Sequence, residues 1–278
     1  MDQIKKLLDY NGKDATRLLD KKLYLFDMDG TIYLDDDLFE GIPELLQNIA
    51  KKGARYVFIT NNSSKSLQAY VQKLHRLGLT NVNEENFYTS VQASISLLKE
   101  KHPNDLIYLQ GTKSFVEELY KSGLTVTAEY DEKAKVVLLG FDPEFTGEKI
   151  YNTCKLLTLF SPVYYATNPD WVCPVEFGYI PDCGSMCESI KRATGKSPYF
   201  IGKPQPEMIY AVMKKFNCLK QDTVVIGDRL YTDIASGNNA GVDTVCVLTG
   251  EVKYDEVLRA SGAHIPTFTF EKATDILK

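Results

Sequence analysis

Two aspartates stand one residue apart at the end of the stretch "LYLFDMDGTI". Asp27 and Asp29 follow the apolar run Leu23–Phe26, and Gly30 and Thr31 come next. Polar residues past an apolar, strand-like run recur along the chain. Thr60 with Asn61 and Asn62 follows "YVFI", Lys203 follows "YFIG", and Asp228, with Asp233 close behind, follows "TVVIG". In an open parallel sheet, ligands sit beyond the carboxyl ends of the strands, and right-handed crossovers bring neighbouring ends to one edge. Asp27, Asp29 and Asp228 would crowd together there. Carboxylates at close range repel, so either one holds a proton or a cation sits between them. A hard divalent cation is the simpler solution. Magnesium fits best, because it accepts one or two carboxylates together with water and a phosphate.

The elements that would place these residues alternate in type. "LYLFD", "RYVFIT", "NFYTS", "DLIYLQ", "KVVLLG", "SPYFIG", "DTVVIG" and "DTVCVL" read as strands. Between them, "PELLQNIAKKG", "NNSSKSLQAYVQKLHRLG", "VQASISLLKEK", "TKSFVEELYKSG", "GEKIYNTCKLLTLF", "PEMIYAVMKKF" and "TDIASGNNAG" read as helices. Gly53 closes the first helix and Gly78 the second, and the asparagines and serines after Thr60 are cap-forming. Strands that are apolar throughout and separated by helices indicate a parallel sheet covered on both faces. The fold class is therefore α/β with a doubly wound parallel sheet.

A chain of 278 residues is about right for two domains. Its net charge of −5 argues against a broad basic face for nucleic acid. No apolar run is long enough to span a bilayer, and the first 22 residues lack the apolar core of a secretion signal. Ile4, Leu7 and Leu8 fall on one helical face, which predicts a short amphipathic helix lying on the body. The six cysteines show no framework spacing, so reduced thiols and a cytoplasmic location are expected. Cys173, Cys183 and Cys187 lack a CxxC pair, so a metal cluster is not expected there. The three histidines are expected at the surface.

Taken together, "DMDGT", the threonine ending "YVFIT", "GKP" and "GDRLYTD" resemble the four motifs of the haloacid dehalogenase superfamily, in the family's order. "ITNNSS", "YATNPDW" and "IGKPQP" resemble its NagD-like, 4-nitrophenylphosphatase-like branch. The resemblance runs from about Leu23 to the end of the chain. It implies a Rossmann-like core with a large inserted α/β cap, and a magnesium-dependent phosphatase working on small phosphorylated metabolites.

The resemblance also implies roles, and the residue chemistry agrees with them. Asp27 would attack phosphorus and form an aspartyl-phosphate, splitting one hard displacement into two. Asp29 would protonate the departing alkoxide and then take a proton from water. Gly30 would allow close backbone approach, and the Thr31 hydroxyl would brace the loop. Thr60, Asn61 and Asn62 would hold phosphoryl oxygens at a strand end opening a helix. Lys203 would offset the charge of nucleophile and phosphate. The metal would be held by Asp27, the backbone carbonyl of Asp29, Asp228, and Asp233 through water. Alternatively, Asp233 would hold Lys203 in place. The acidic run Asp35, Asp36, Asp37 and Glu40 reads as a solvated flap.

Thr60 and Lys203 are too far apart for a single crossover, and a structureless loop of that length is implausible. Residues 90–181 are therefore expected as an inserted cap, and residues 1–89 with 182–278 as the core. Within the cap, Asn168 and Asp170 match the branch pattern and are expected to face the substrate. Trp171 would either stack on a flat leaving group or, as the ordinary expectation for a lone tryptophan, pack inside. "PDCGS" departs from the glycine that the branch more often has after proline. Caps of this kind often pair, so a homodimer through the cap is an expectation. A phosphomutase or phosphotransferase using the same nucleophile, and a non-catalytic metabolite-binding protein, are the alternatives. Dehalogenation is disfavoured by the presence of Asp29 and of the metal-binding acids.

Overall fold

A computed structural model describes residues 6–175 and 177–277. In chain order the first elements are β1 (Leu23–Phe26), β2 (Tyr33–Leu34), β3 (Asp37–Leu38), α1 (Ile42–Lys51), β4 (Arg55–Thr60), α2 (Leu67–Arg76) and β5 (Phe87–Thr89). Then come α3 (Ser90–Lys101), β6 (Ile107–Gln110), α4 (Lys113–Lys121), β7 (Val126–Thr127), β8 (Val136–Leu139), α5 (Gly147–Leu159), β9 (Val163–Ala166), β10 (Val172–Val175) and β11 (Gly178–Pro181). The chain ends with α6 (Cys183–Thr194), β12 (Tyr199–Phe200), α7 (Glu207–Phe216), β13 (Thr223–Gly227), α8 (Ala235–Ala240), β14 (Asp243–Val247), α9 (Tyr254–Arg259) and β15 (Phe268–Phe270). The residues divide into two compact units, 1–60 with 71–88 and 204–278, and 61–70 with 89–203. Among the described residues no helix is long and apolar enough to cross a membrane.

The first unit is built on a sheet of order β15-β14-β13-β1-β4-β5. β1 pairs in parallel with β13 on one side and β4 on the other. The four residues of β1 are all buried, which is why it reads as an unbroken apolar run. From β1 the chain winds first towards β4 and later returns to wind towards β14. The carboxyl end of β1 is thus the switch point, where an open α/β sheet leaves a crevice. Phe26 lies level with Ile226 and with Phe58, so Asp27, Asp228 and Thr60 emerge at one edge. In α1, Ile42, Leu45, Leu46 and Ile49 are buried; that spacing is one helical face, and Gly53 follows at φ +74°.

The second unit repeats the plan with order β12-β9-β8-β6-β7, in which all neighbours are parallel. Its buried core joins Tyr108, Val137, Leu139, Leu156, Cys187 and Ile190, among others. The sequence places its end near Pro181, but the unit runs on to Lys203. The reason is pairing: α6 packs on α5, and β12 adds to the edge of β9. β9, β15 and the hairpin β10–β11 are strands that the apolar pattern does not reveal.

The amino-terminal expectation is corrected. Ile4 lies outside the described residues. Leu7 is buried, Leu8 is exposed, and Leu8 forms an antiparallel bridge with Asp14 instead of entering a helix. The Asp9 carboxylate accepts the N–H groups of Asn11 and Lys13 at 2.9 and 2.8 Å. Such local bonding competes with helix formation. The same carboxylate accepts the Thr269 N–H at 3.1 Å, tying this segment to β15.

Candidate active site

The site in the first unit is built at the carboxyl end of β1. The Asp27 N–H continues the ladder to the Ile226 carbonyl at 2.8 Å, which brings its side chain beside the strand end that carries Asp228. Asp27, Asp228 and Asp233 each offer one carboxylate oxygen, and these oxygens all lie within 4.8 Å of one another. Asp233 reaches the group from a single π-helical turn, Leu230–Ile234, between β13 and α8; such turns are rare and frequent at functional sites. Its Oδ2 accepts the Arg229 N–H at 3.1 Å. Asp29 is half-buried, and the Tyr33 hydroxyl donates to its Oδ2 at 3.3 Å.

Glycine makes the close approach possible. Gly30 has φ +80°, and a Cβ there would lie 2.5 Å from Asp228 Oδ2. A side chain at Gly227 would run into Asp233 at 2.3 Å. The Thr31 hydroxyl, expected to brace this loop, is buried and makes no hydrogen bond among the described residues. The acidic run after it is a hairpin: Asp35 turns at φ +50°, Asp35, Asp36, Asp37 and Glu40 are exposed, and β2 pairs with β3. The solvated flap stands.

The electrostatics are those of crowded acids. Burial, and then the neighbouring Asp233 charge, push the Asp228 carboxyl up to about 7, against the pull of Arg229 and the Glu251 N–H. Cys246, level with Gly227 on β14, is pushed up to about 12 by burial and by the charges of Asp228 and Asp233. Asp228 Oδ2 accepts the Glu251 N–H at 2.7 Å. Its Oδ1 is buried with no hydrogen-bond partner among the described residues. A buried oxygen left in this way carries a desolvation cost. An all-oxygen set of three acids with one unsatisfied lone-pair face is the donor chemistry of a hard divalent cation. The residues fit such an ion.

In the second unit the expected residues come together differently. The Asn61 side chain clamps the Lys203 backbone, donating from Nδ2 to its carbonyl at 3.0 Å and accepting its N–H on Oδ1 at 2.8 Å. Asn61 Nδ2 also donates to Asp170 Oδ2 at 2.9 Å. Asn168 donates to the same Asp170 oxygen at 2.8 Å and to Asp182 Oδ1 at 3.1 Å, while its own Oδ1 accepts from Thr167 at 2.6 Å. Asn168 is fully buried and its amide is spent inside the unit. The expectation that it faces the substrate is therefore corrected to that of an internal strut, and the buried carboxylate of Asp170 belongs to the same network. Asn61 is corrected as well. α2 starts only at Leu67, so Asn61 opens no helix, and its side-chain amide is spent on Lys203 and Asp170. Asn62 Oδ1 turns back to accept from Ser64 N and Oγ at 2.9 and 2.7 Å.

Trp171 is 53% exposed, so the packed tryptophan is corrected to a surface one beside Pro169, Pro198 and Phe200. In "PDCGS", Asp182 caps α6, and Gly184 is needed because a Cβ would lie 2.2 Å from the Pro169 carbonyl oxygen. His102 is corrected from surface to half-buried, bonded to Asp105 at 2.8 Å and to the Tyr165 hydroxyl at 3.2 Å.

Comparison with known proteins bears on this geometry. A family model described as haloacid dehalogenase-like hydrolase matches residues 24–125, and one described as HAD-hydrolase-like matches residues 200–276. An acid sugar phosphatase of Staphylococcus haemolyticus is 32% identical over 250 residues, covering 90% of this chain and 93% of the relative. The chain belongs to the haloacid dehalogenase superfamily. Among solved structures, the 4-nitrophenylphosphatase of Thermotoga maritima is 36% identical with a TM-score of 0.86, covering 94% of this chain and 98% of its own. The glycerol phosphate phosphatase of Mycobacterium tuberculosis, solved in complex with magnesium, is 26% identical with a TM-score of 0.87, covering 94% and 77%. Escherichia coli NagD is 28% identical with a TM-score of 0.81, covering 93% and 98%. Within the superfamily, this hydrolase is a phosphatase of the NagD-like branch.

One part of this haloacid dehalogenase-like site was not foreseen. The loop Thr249–Val252 after β14 wraps Asp228. Thr249 Oγ1 donates to the Gly30 carbonyl at 2.6 Å, Glu251 supplies its N–H to Asp228, and Gly250 must lack a Cβ, which would fall 2.0 Å from Asp228 Oδ2. Glu251 also pairs with Arg229 at 2.8 Å. The signal was available: "TGE" follows the apolar run "DTVCVL", and the strand-end rule applies to β14 as it does to β13.

Proposed function

We propose that this phosphatase hydrolyses small phosphomonoesters, with phosphorylated sugars and polyols as the favoured class, through a phosphorylated Asp27. The convergence of Asp27, Asp228 and Asp233 at the switch point, with Asp29 two residues beyond the nucleophile, carries the reading. The relatives named above as acid sugar phosphatase and glycerol phosphate phosphatase support the substrate class. Nitrophenyl phosphate serves as an artificial substrate, as the Thermotoga relative's name suggests.

An Asp27 oxygen forms a bond to phosphorus as the bond from phosphorus to the ester oxygen breaks. Asp29 gives its proton to the departing alkoxide. In the second half, Asp29 takes a proton from a water whose oxygen bonds to phosphorus, and the Asp27 carboxylate leaves. General acid–base help of this kind is typically worth about a hundred- to ten-thousand-fold. The Tyr33 hydroxyl on Asp29 Oδ2 holds that carboxyl in one orientation. Thr60 and the peptide N–H of Asn61 would receive phosphoryl oxygens, and the Lys203 amine would offset the charge of nucleophile and phosphate. Asp27, Asp228 and Asp233, with the Asp29 carbonyl, would hold magnesium, which supplies charge compensation on the phosphoryl group when bound. The inserted second unit would supply the choice among substrates.

The test is turnover of p-nitrophenyl phosphate. Asp27→Asn is expected to remove turnover, by at least about a thousandfold, and to leave the circular dichroism spectrum unchanged. Chelation is expected to stop the native enzyme and added magnesium to restore it. An active Asp27→Asn protein, or activity that survives exhaustive chelation, would overturn the reading.

A further inference from the structure

We infer that Asp170 is a positioning residue for catalysis: through the amide of Asn61 it fixes the main chain that carries Lys203. The inference rests on the role proposed for Lys203 above. A primary amide has one acceptor and one two-hydrogen donor, and both ends of the Asn61 amide are spent on one residue's backbone, at 2.8 and 3.0 Å. This clamp fixes where the Lys203 side chain starts only if the amide itself cannot flip or rock. Asp170 Oδ2 prevents that by accepting the remaining hydrogen of Asn61 Nδ2. With Nδ2 held by that oxygen, the amide is kept in the orientation that points Oδ1 at the Lys203 N–H.

Asp170 is held from behind. Asn168 donates to the same oxygen and bridges to Asp182, which caps α6. The backbone of the loop is fastened too, because the Gly184 N–H donates to the Asp170 carbonyl at 2.8 Å. From the other side, Ile201 and Gly202 extend the pairing of β12 with β9 by donating to Ala166 and Thr167 at 2.9 and 2.7 Å. Gly202 must be glycine, because a Cβ would lie 2.4 Å from Asn61 Oδ1. Asn168, Asp170 and Lys203 are each at most 2% exposed and Asn61 only 6%. Burying two carboxylates and two amides solely for stability is a poor use of a core, since an apolar core does as well or better. What such a network supplies is a fixed geometry. Displacing a catalytic group by about 1 Å costs about a hundredfold in rate.

The experiment is a double-mutant cycle on p-nitrophenyl phosphate turnover with Asp170→Ala, Lys203→Ala and the pair, together with Asp170→Asn and the thermal midpoint of each. Asp170→Ala is expected to lower kcat about ten- to a hundredfold with KM changed less than threefold. Asp170→Asn, which can return one acceptor to Asn61, is expected to recover part of that loss. It also supplies the cycle if the alanine variant does not fold. The deciding expectation is non-additivity: once Lys203 is alanine, removing Asp170 costs less than about twofold. Losses that multiply would make Asp170 a structural residue only, and would overturn the inference while the role of Lys203 stands. Full activity of Lys203→Ala would overturn the role of Lys203 and this inference together.

Discussion

At Asp228 the chain buries a carboxylate whose Oδ1 meets no hydrogen-bond donor among the described residues, with oxygens of Asp27 and Asp233 within 4.8 Å. Like charges in a buried setting oppose folding, and the unsatisfied oxygen adds to the cost. Without a counter-charge the three acids therefore work against folding. Asp228→Asn removes one charge while keeping the shape. The metal-free variant is expected to melt a few degrees higher than the metal-free native protein, a gain of about 1–2 kcal/mol, while turnover falls by at least about a hundredfold. Calorimetry in chelator checks the first outcome; an unchanged or lower midpoint would show that the acids are compensated by the fold alone. The cluster of Asp27, Asp228 and Asp233 was legible in the sequence because Asp27 and Asp228 each follow an apolar run at a strand end and Asp233 lies in the turn just beyond. The part of Asn168 and Asp170 was not. Their type and spacing mark them out, but the partner Asn61 is more than a hundred residues away in the chain, and only folding shows that the amides face inward.

Elements were legible where burial imposes a long period and opaque where pairing does the work. The four buried positions of α1 and the wholly buried β1 announce themselves. β15 contributes three residues that the apolar pattern does not reveal, and exists because β14 offers it an edge. The amino-terminal segment shows the same dependence on partners. A 3-10 turn, Thr16–Asp20, is tied to the start of β14 by Asp243, which accepts from Arg17 Nε and Nη2 at 2.9 and 2.7 Å and pairs with Lys21 at 2.7 Å. Burial alone would raise the Asp243 carboxyl, but the bonds from Arg17 and Lys21 together hold it below its ordinary value. A carboxylate so depressed contributes its stability above the unfolded-state value, near 4, and loses it as pH falls through the folded-state value. Asp243→Asn is thus expected to cost about 1–3 kcal/mol at neutral pH, a drop of several degrees. The gap from the native protein should close progressively below about pH 4. Thermal melts at pH 7 and pH 3 check both parts, and a gap independent of pH would assign the cost to shape and not to charge.

Over the whole molecule, the chain passes between its two compact units at 60/61, 70/71, 88/89 and 203/204. The first and last of these passages fall at Thr60–Asn61 and just after Lys203. The three clustered acids, Asp27, Asp228 and Asp233, all belong to the first unit. A ligand stabilises what unfolds with its site, and stability is not uniform across a structure. Magnesium at about a hundred times its dissociation constant should add about 2.7 kcal/mol to openings that dismantle the site, slowing exchange there by about a hundredfold. Amide hydrogen exchange with and without magnesium is expected to show that gain in β1, β13 and β14. Much smaller changes are expected in β6, β8 and β9, whose sheet holds none of the three acids. Equal protection of both sheets would mean that the units open as one, and that the folding of the second is coupled to the acids of the first.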